Sequence, residues 1–407
     1  MIRKSIMALL VGSFSMGVMA APAVMDGVEV LQPLFDEPTY IESGKYADSL
    51  YIPSTVDTIL WGYLPNKLTP PVAAIESGDV VVFDTVSHEG ILEDQGRNPL
   101  KYFGSHGYSK EFVLEDAVAI TSSDLEHDFF KDGPHIVTGP VEIKGAKKGD
   151  VLKVDIVKLE PRVPYGVISN RHGKGALVGE YPRRKQQPNP SAEFPERFGN
   201  VSILSPIFKE GEKYFGKLPS GDKNIVFPLN PFMGIMGVAP DKEFPIHSVP
   251  PQYFGGNLDV KDLVEGTSAY YRVNVDGGMF FTGDSHFTQG DGEVALTALE
   301  ASVRATFRLT VLKEGAEAIP GAFIDTPLGE TAEFWIPVGL DEDLNIAMQN
   351  ATRESIRFLV NQYGISEEIA LAYLSANTDF AVSQVVDKTK GIHAKIRKSD
   401  FAEFEAE

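Results

Sequence analysis

Ser302-Val303-Arg304-Ala305-Thr306-Phe307-Arg308-Leu309-Thr310-Val311 alternates without a break, with Val303, Ala305, Phe307, Leu309 and Val311 on one side. Ser302, Arg304, Thr306, Arg308 and Thr310 take the other side. A period of two is the mark of a strand with one dry and one wet face. Tyr271, Val273 and Val275 alternate with Arg272 and Asn274 in the same way and run into the turn Asp276-Gly277-Gly278. Upstream, Gly78-Asp79-Val80-Val81-Val82-Phe83-Asp84 and Gly149-Asp150-Val151-Leu152-Lys153-Val154-Asp155 share a Gly-Asp-Val entry into a strand. A distant duplication and a common turn-then-strand solution explain that likeness equally well. Strand signals dominate to about residue 335. The fold expected is mainly β.

Beyond residue 340 the period becomes helical. Ile356, Leu359, Val360 and Tyr363 fall at i, i+3, i+4 and i+7, and Gly364 supplies a stop. Ser366 offers an N-cap, with Glu367 and Glu368 in the first turn where the helix dipole favours acids. The organisation expected is a β-rich body over 45–340 and a helical C-terminal part over 341–407 packed on it. Within the body, 165–198 reads as a surface excursion. Arg171-His172-Gly173-Lys174-Gly175 is followed by Arg183, Arg184, Lys185 and several prolines, which fits a plain insertion loop or a lid over a site.

The 407 residues are 43% hydrophobic, enough for one large core or two ordinary ones. Their 38 Gly and 27 Pro favour short strands joined by turns. A formal charge of -20 argues against nucleic acid or an anionic membrane as partner, since both need basic patches. Residues 1–20 read as a secretory signal: Arg3 and Lys4, then a mostly apolar run from Ile6 to Met19, then Ala20, Ala21 and Ala23. Cleavage after Ala20 would leave a soluble secreted or periplasmic protein. With no cysteine there is no thiol nucleophile, no thiolate-ligated metal and no Glu-Lys-Cys amidase mechanism. A Gly-x-Ser-x-Gly elbow is absent too.

Chemistry concentrates in Gly283-Asp284-Ser285-His286-Phe287-Thr288-Gln289-Gly290-Asp291-Gly292-Glu293. On a strand, Asp284 and His286 project from one face. A hairpin loop centred on Gln289–Gly290 would set His286 opposite Glu293; one centred on Asp291–Gly292 would set it opposite Thr297. The segment reads either as a polar hairpin tip or as a metal site. Asp, His and Glu suit catalytic Zn²⁺ with a position open for water, and two carboxylates would also accept Ca²⁺ or Mg²⁺.

Several stretches, in chain order, resemble the acetamidase/formamidase family. They are Thr138-Gly139-Pro140-Val141, Gly145-Ala146, Gly149-Asp150-Val151-Leu152, Pro231-Phe232-Met233-Gly234, Gly237-Val238-Ala239-Pro240 and Gly255-Gly256-Asn257-Leu258-Asp259. Gly283-Asp284-x-His286, Gln289-Gly290-Asp291-Gly292-Glu293, Val382-Ser383-Gln384-Val385-Val386-Asp387 and Gly391-Ile392-His393 complete the set. The resemblance implies a sandwich- and barrel-like β fold with smaller helical parts. It also implies hydrolysis of a linear amide to ammonia and a short carboxylate. Carried over by position, Asp284, His286 and Glu293 become the ligands of a divalent cation. Asn257 holds the substrate carbonyl or amide, and Asp259 orients a ligand from behind. Asp84, at the end of its strand, is a further ligand candidate. A metal-activated water would attack the amide carbon, with His88 or His135 passing the proton to the departing nitrogen. Phe280, Phe281 and Phe287 read as core or as the walls of a dry pocket. Met279-Phe280-Phe281 is bulkier than the family pattern leads one to expect, and 85–110 and 165–198 are long, which puts the substrate in question more than the reaction. The partners expected are a small amide and, beyond it, only further copies of the chain in a homo-oligomer. Two rival readings are binding of a metal or amide solute without turnover, which usually brings two α/β lobes, and hydrolysis of a larger N-substituted amide.

Overall fold

The computed structural model describes residues 22–404; the expected signal segment, residues 1–20, lies outside them. Among the described residues no helix is long and apolar enough to cross a membrane.

The alternating stretch that opens the sequence forms the strand Val303–Leu312, at the heart of a ten-stranded sheet. The two Gly-Asp-Val stretches become Val80–Asp84 and Val151–Pro161, and these strands flank it, both antiparallel. Its alternation is only half realised as dry and wet, because Arg304 and Thr306 are buried along with their apolar neighbours. The polar face there is covered by the N-terminal segment instead of water, since Arg304 also donates to the Gln32 carbonyl and lies over the Tyr46 and Tyr51 rings. Arg304 donates to both oxygens of Asp84 at 2.6 and 2.7 Å, so the wet side of this strand is a buried ion pair.

The apolar face meets the second layer, an eleven-stranded sheet centred on Phe280–Thr288. Phe83, Phe280 and Phe307 pack edge to face between the sheets, at centroid distances from 5.4 to 5.9 Å. Phe280, Phe281 and Phe287 are fully buried and take the core role. The protein is mainly β, with two large open sheets packed face to face; the barrel-like piece expected is not formed, since neither sheet closes on itself.

The C-terminal helices form where the periodicity places them, Leu344–Tyr363 and Glu367–Asn377. Gly364 at φ 66° ends the first, and the Ser366 side chain accepts from the Ile369 amide at the start of the second. Beyond the helices the chain returns to strand. Asp379–Gln384 and Lys390–Arg397 return as a hairpin and add two strands to the ten-stranded sheet through pairing with Phe334–Asp341. Short helices at Pro99–Ser105 and Glu115–Ser122 interrupt the long β run; at seven and eight residues they are too brief to show a helical period.

The long helix docks on Phe334–Asp341 through Gly339, where a Cβ would lie 2.0 Å from the Ala351 nitrogen and 2.5 Å from the Ala347 oxygen. Both obstacles are helix backbone and cannot swing aside. Gly339→Ala is expected to cost about 2–3 kcal/mol, the range of overpacking in a close-packed core. Urea unfolding measures it, and an unchanged midpoint would mean the helix is not seated on that strand.

Candidate metal centre

Phe280–Thr288 pairs with Phe232–Val238 on one edge and with Ile136–Ile143 and Leu299–Glu300 on the other. The pairs Met233–Ser285 and Ile235–Gly283 bring Gly234 level with Asp284. A Cβ at Gly234 would meet Asp259 Oδ1 at 2.5 Å and His286 Cε1 at 2.7 Å, so only glycine lets these side chains close together. Asp284 itself is left-handed, at φ 47°, in mid-strand, and Asp259 at 52° and Glu293 at 47° share that conformation. Left-handed backbone in residues other than glycine carries strain and gathers at functional sites.

Asp284 and His286 do meet, with Asp284 Oδ2 3.3 Å from His286 Nε2. The pairing expected across the hairpin is different from both alternatives: His286 stands opposite Glu300, not Glu293 or Thr297. The loop is longer than either short turn allowed, and it is pinned elsewhere. The Gln289 side-chain amide donates to the carbonyls of Asp259 and Ser383, each at 3.1 Å. The Gly292 amide donates to the Ser383 carbonyl at 3.2 Å, and the Val385 amide returns to Gly292. This clamp carries Glu293 inward beside Asp259 and Asp387, where their ligand oxygens lie within 4.8 Å of one another.

The two candidate proton carriers join the same cluster. His88 Nδ1 lies 3.4 Å from Asp284 Oδ1, and His135 Nε2 lies 3.5 Å from Asp284 Oδ2. His135 is oriented by Ser248, whose hydroxyl is 2.9 Å from Nδ1. Glu300 Oε1 is 3.1 Å from His286 Nε2. Four overlapping sets result: His88, His135, Asp284; Asp259, Asp284, His286; His286, Glu293, Glu300; and Asp259, Glu293, Asp387. All eight side chains are buried. Asn257 ends the strand Gly255–Asn257 close by, and its buried Oδ1 has no hydrogen-bond partner.

Asp84 is a correction. Besides the two contacts from Arg304, it receives the Tyr51 hydroxyl at 2.6 Å and sits 3.2 Å from Arg162. Two guanidinium groups already neutralise it, so no charge is left over to attract a cation. Glu300 and Asp387 carried no role in the sequence reading. Glu300 had a visible signal, as a lone acid in the apolar run Ala298-Leu299-Glu300-Ala301. Asp387 stood at the end of a quoted motif, but nothing local said that the C-terminal hairpin would return to the site.

Behind His88 lies a buried acid-base chain: His88 Nε2 is 3.3 Å from Glu89 Oε1, and Arg171 donates to Glu89 at 2.8 Å and to Asp94 at 2.7 Å. The excursion that begins at Arg171 is therefore anchored at the site, and Lys174 and Gln186 from it line the cavity above. That cavity is about 930 Å³ and has His88, His135, Asn257, Asp284, Glu293 and Glu300 among its lining.

The electrostatics are those of acids crowded together in a buried place. Burial, and then the carboxylates of their neighbours, push Asp259, Glu293 and Asp387 up from the usual range. Burial raises Glu300, with His286 opposing and Asp284 adding to it. Asp284 alone is held down, against its burial, by His135 and His286. Both ring nitrogens of His88 and of His286, both oxygens of Asp259, and one oxygen each of Asp284, Glu300 and Asp387 are buried without a hydrogen-bond partner. Buried polar atoms are almost always paired. Nitrogens and oxygens that converge on one another yet bond to nothing have the form of a ligand shell, and the donor types fit a divalent cation.

Comparison with known proteins gives the family. The profile of the "Acetamidase/Formamidase family" matches residues 120–247 and 244–395. The chain is 25% identical over 299 residues to a formamidase of Methylophilus methylotrophus, covering 62% of this chain and 73% of that one. It is 25% identical over 300 residues to an acetamidase of Mycolicibacterium smegmatis, covering 60% and 73%. The crystal structure of an acetamidase from Bacillus halodurans superposes with a TM-score of 0.64 at 25% identity, over 87% of this chain and 99% of that one.

Proposed function

Because the chain belongs to the acetamidase/formamidase family, we propose that it is an exported, cation-dependent hydrolase that splits a linear amide into ammonia and a carboxylate. The observation that carries this reading is the convergence of eight buried acids and histidines, six of them with buried atoms that bond to nothing, at a cavity large enough for a substrate. His88, His135 and Asp284 would hold a borderline cation such as Zn²⁺. Asp259, Glu293 and Asp387 offer the all-oxygen set that a harder ion such as Ca²⁺ or Mg²⁺ prefers, and His286 stands between the two sets. When bound, such a cation supplies Lewis acidity to the amide carbonyl and to water.

The chain's own groups supply the rest. Asn257 Oδ1, buried and without a partner, accepts from the substrate N–H and fixes the amide plane. Glu300, which burial inclines to hold a proton, takes one from the attacking water and hands it to the departing nitrogen. His286, 3.1 Å away, holds Glu300 in place. Glu89 and Arg171 keep His88 turned towards Asp284.

Ammonia release from formamide and acetamide, measured with and without a chelator, tests the reading. Hydrolysis that stops with chelator and returns with added Zn²⁺ is expected; turnover indifferent to chelation would remove the cation from the scheme. Cation affinity should also depend on pH. In the cation-free protein burial works to lower His88, but the Asp284 and Glu89 carboxylates outweigh it and hold the imidazole up at about 10. A ligand must be neutral, so binding expels that proton, and affinity rises with pH by up to about tenfold per unit between pH 6 and 8. His135 adds nothing to this slope, since burial pushes it down to about 3 and it is already neutral. Calorimetry in buffers of different ionisation heat measures the proton released, and a flat pH dependence would contradict the assignment of His88.

A further inference from the structure

The cavity far exceeds formamide or acetamide: about 930 Å³ is at the upper end of the roughly 300–1,000 Å³ that holds drug-sized ligands. Its electrostatics are divided. Its floor is the acid cluster, whereas its wall carries cations from two different segments, Lys174 in the anchored excursion and Lys388 in the turn after Asp387. Other cations on that wall are engaged. Lys131 pairs with Asp128 at 2.6 Å, Arg171 with Glu89 and Asp94, and Lys390 donates to the Glu342 carbonyl. Lys174 and Lys388 make no ion pair with any described residue. Lys388 is moreover held left-handed, at φ 65°, by the turn that delivers Asp387.

Resting on the hydrolase reading above, we propose that the substrate is an amide that also bears a carboxylate, with the neutral amide on the acid floor and the carboxylate between Lys174 and Lys388. The polarity of the cavity fixes that direction. A carboxylate is repelled by the floor and attracted by the wall, and a carboxamide is tolerated at the floor because it carries no charge. Water adds to the amide carbon, the C–N bond breaks, and the products are a dicarboxylate and ammonium, with the proton of the new acid passing to ammonia.

The test compares monoamides of dicarboxylic acids with neutral amides of equal length: succinamate with butanamide, glutaramate with pentanamide, adipamate with hexanamide. In the holoenzyme the best monoamide is expected to exceed its neutral partner in kcat/KM by at least about tenfold, the effect of one or two charge-assisted contacts. In Lys174→Gln with Lys388→Gln that ratio should fall towards one, and more through KM than through kcat. A ratio of one or less in the unaltered enzyme, or a ratio untouched by the double change, overturns the proposal and leaves the hydrolase reading intact. If no amide of either kind is hydrolysed, the hydrolase reading fails by itself. Calorimetric titration with glutaramate then decides the anion site: binding lost in the double variant upholds it, and equal or absent binding in both proteins overturns it.

Discussion

Asp284→Asn is expected to lower kcat/KM for acetamide by more than about a thousandfold, the scale on which electrostatic and metal assistance act, while the protein still folds. Asparagine keeps the size of the side chain and, like aspartate, tolerates the left-handed backbone at φ 47°. What it loses is the charge that faces His88, His135 and His286 at 3.3–3.5 Å. Asp284 is also the one carboxylate of the cluster held ionised by its neighbours, so it is the fixed anion on which the others are arranged. Circular dichroism should be unchanged and bound cation per chain should fall. Activity within tenfold of the parent would show that the reaction does not run at this cluster.

Arg304→Met is expected to be the most destabilising single change in the ten-stranded sheet, by about 3–5 kcal/mol, because it strands a charge in a place water cannot reach. Asp84 is fully buried and would keep only Arg162, at 3.2 Å, and the Tyr51 hydroxyl. Arg162 cannot simply move over, since it already binds Asp116 at 2.7 Å and the Thr85 carbonyl. Adding Asp84→Asn should recover part of the loss by removing the stranded anion. Denaturant midpoints measure both effects. Cation content per folded molecule should stay at the parent value in both proteins, because Asp84 takes no part in the centre; a drop in Asp84→Asn would restore it as a ligand.

The sheets were legible because their strands are long enough to show a period. Val303–Leu312 declares itself over ten residues, and its two neighbours share a turn signal. The C-terminal helices were legible through Gly364 and Ser366, whose capping roles are local chemistry. The residues of the centre were only partly legible. Asp284 and His286 lie close in sequence and on one strand, so spacing links them. His286 opposite Glu300 depends on how far the loop between them runs, and that length is set by Gln289 gripping Asp259 and Ser383, two contacts from distant parts of the chain. Asp84 misled for a related reason. An acid ending a strand looks the same whether it faces an ion or an arginine, and Arg304 declares its partner only once the strands align.

The clamp between Gly292 and Ser383 reaches beyond the chemistry it supports. His88 belongs to the first quarter of the chain and Asp387 comes from its closing hairpin, so the centre is finished only when material from both ends has met. Such far-flung closure is slow in folding, because entropy is spent before the contacts reward it. A chain still missing its last hairpin would therefore lack both Asp387 and the Ser383 carbonyl that holds the loop carrying Glu293.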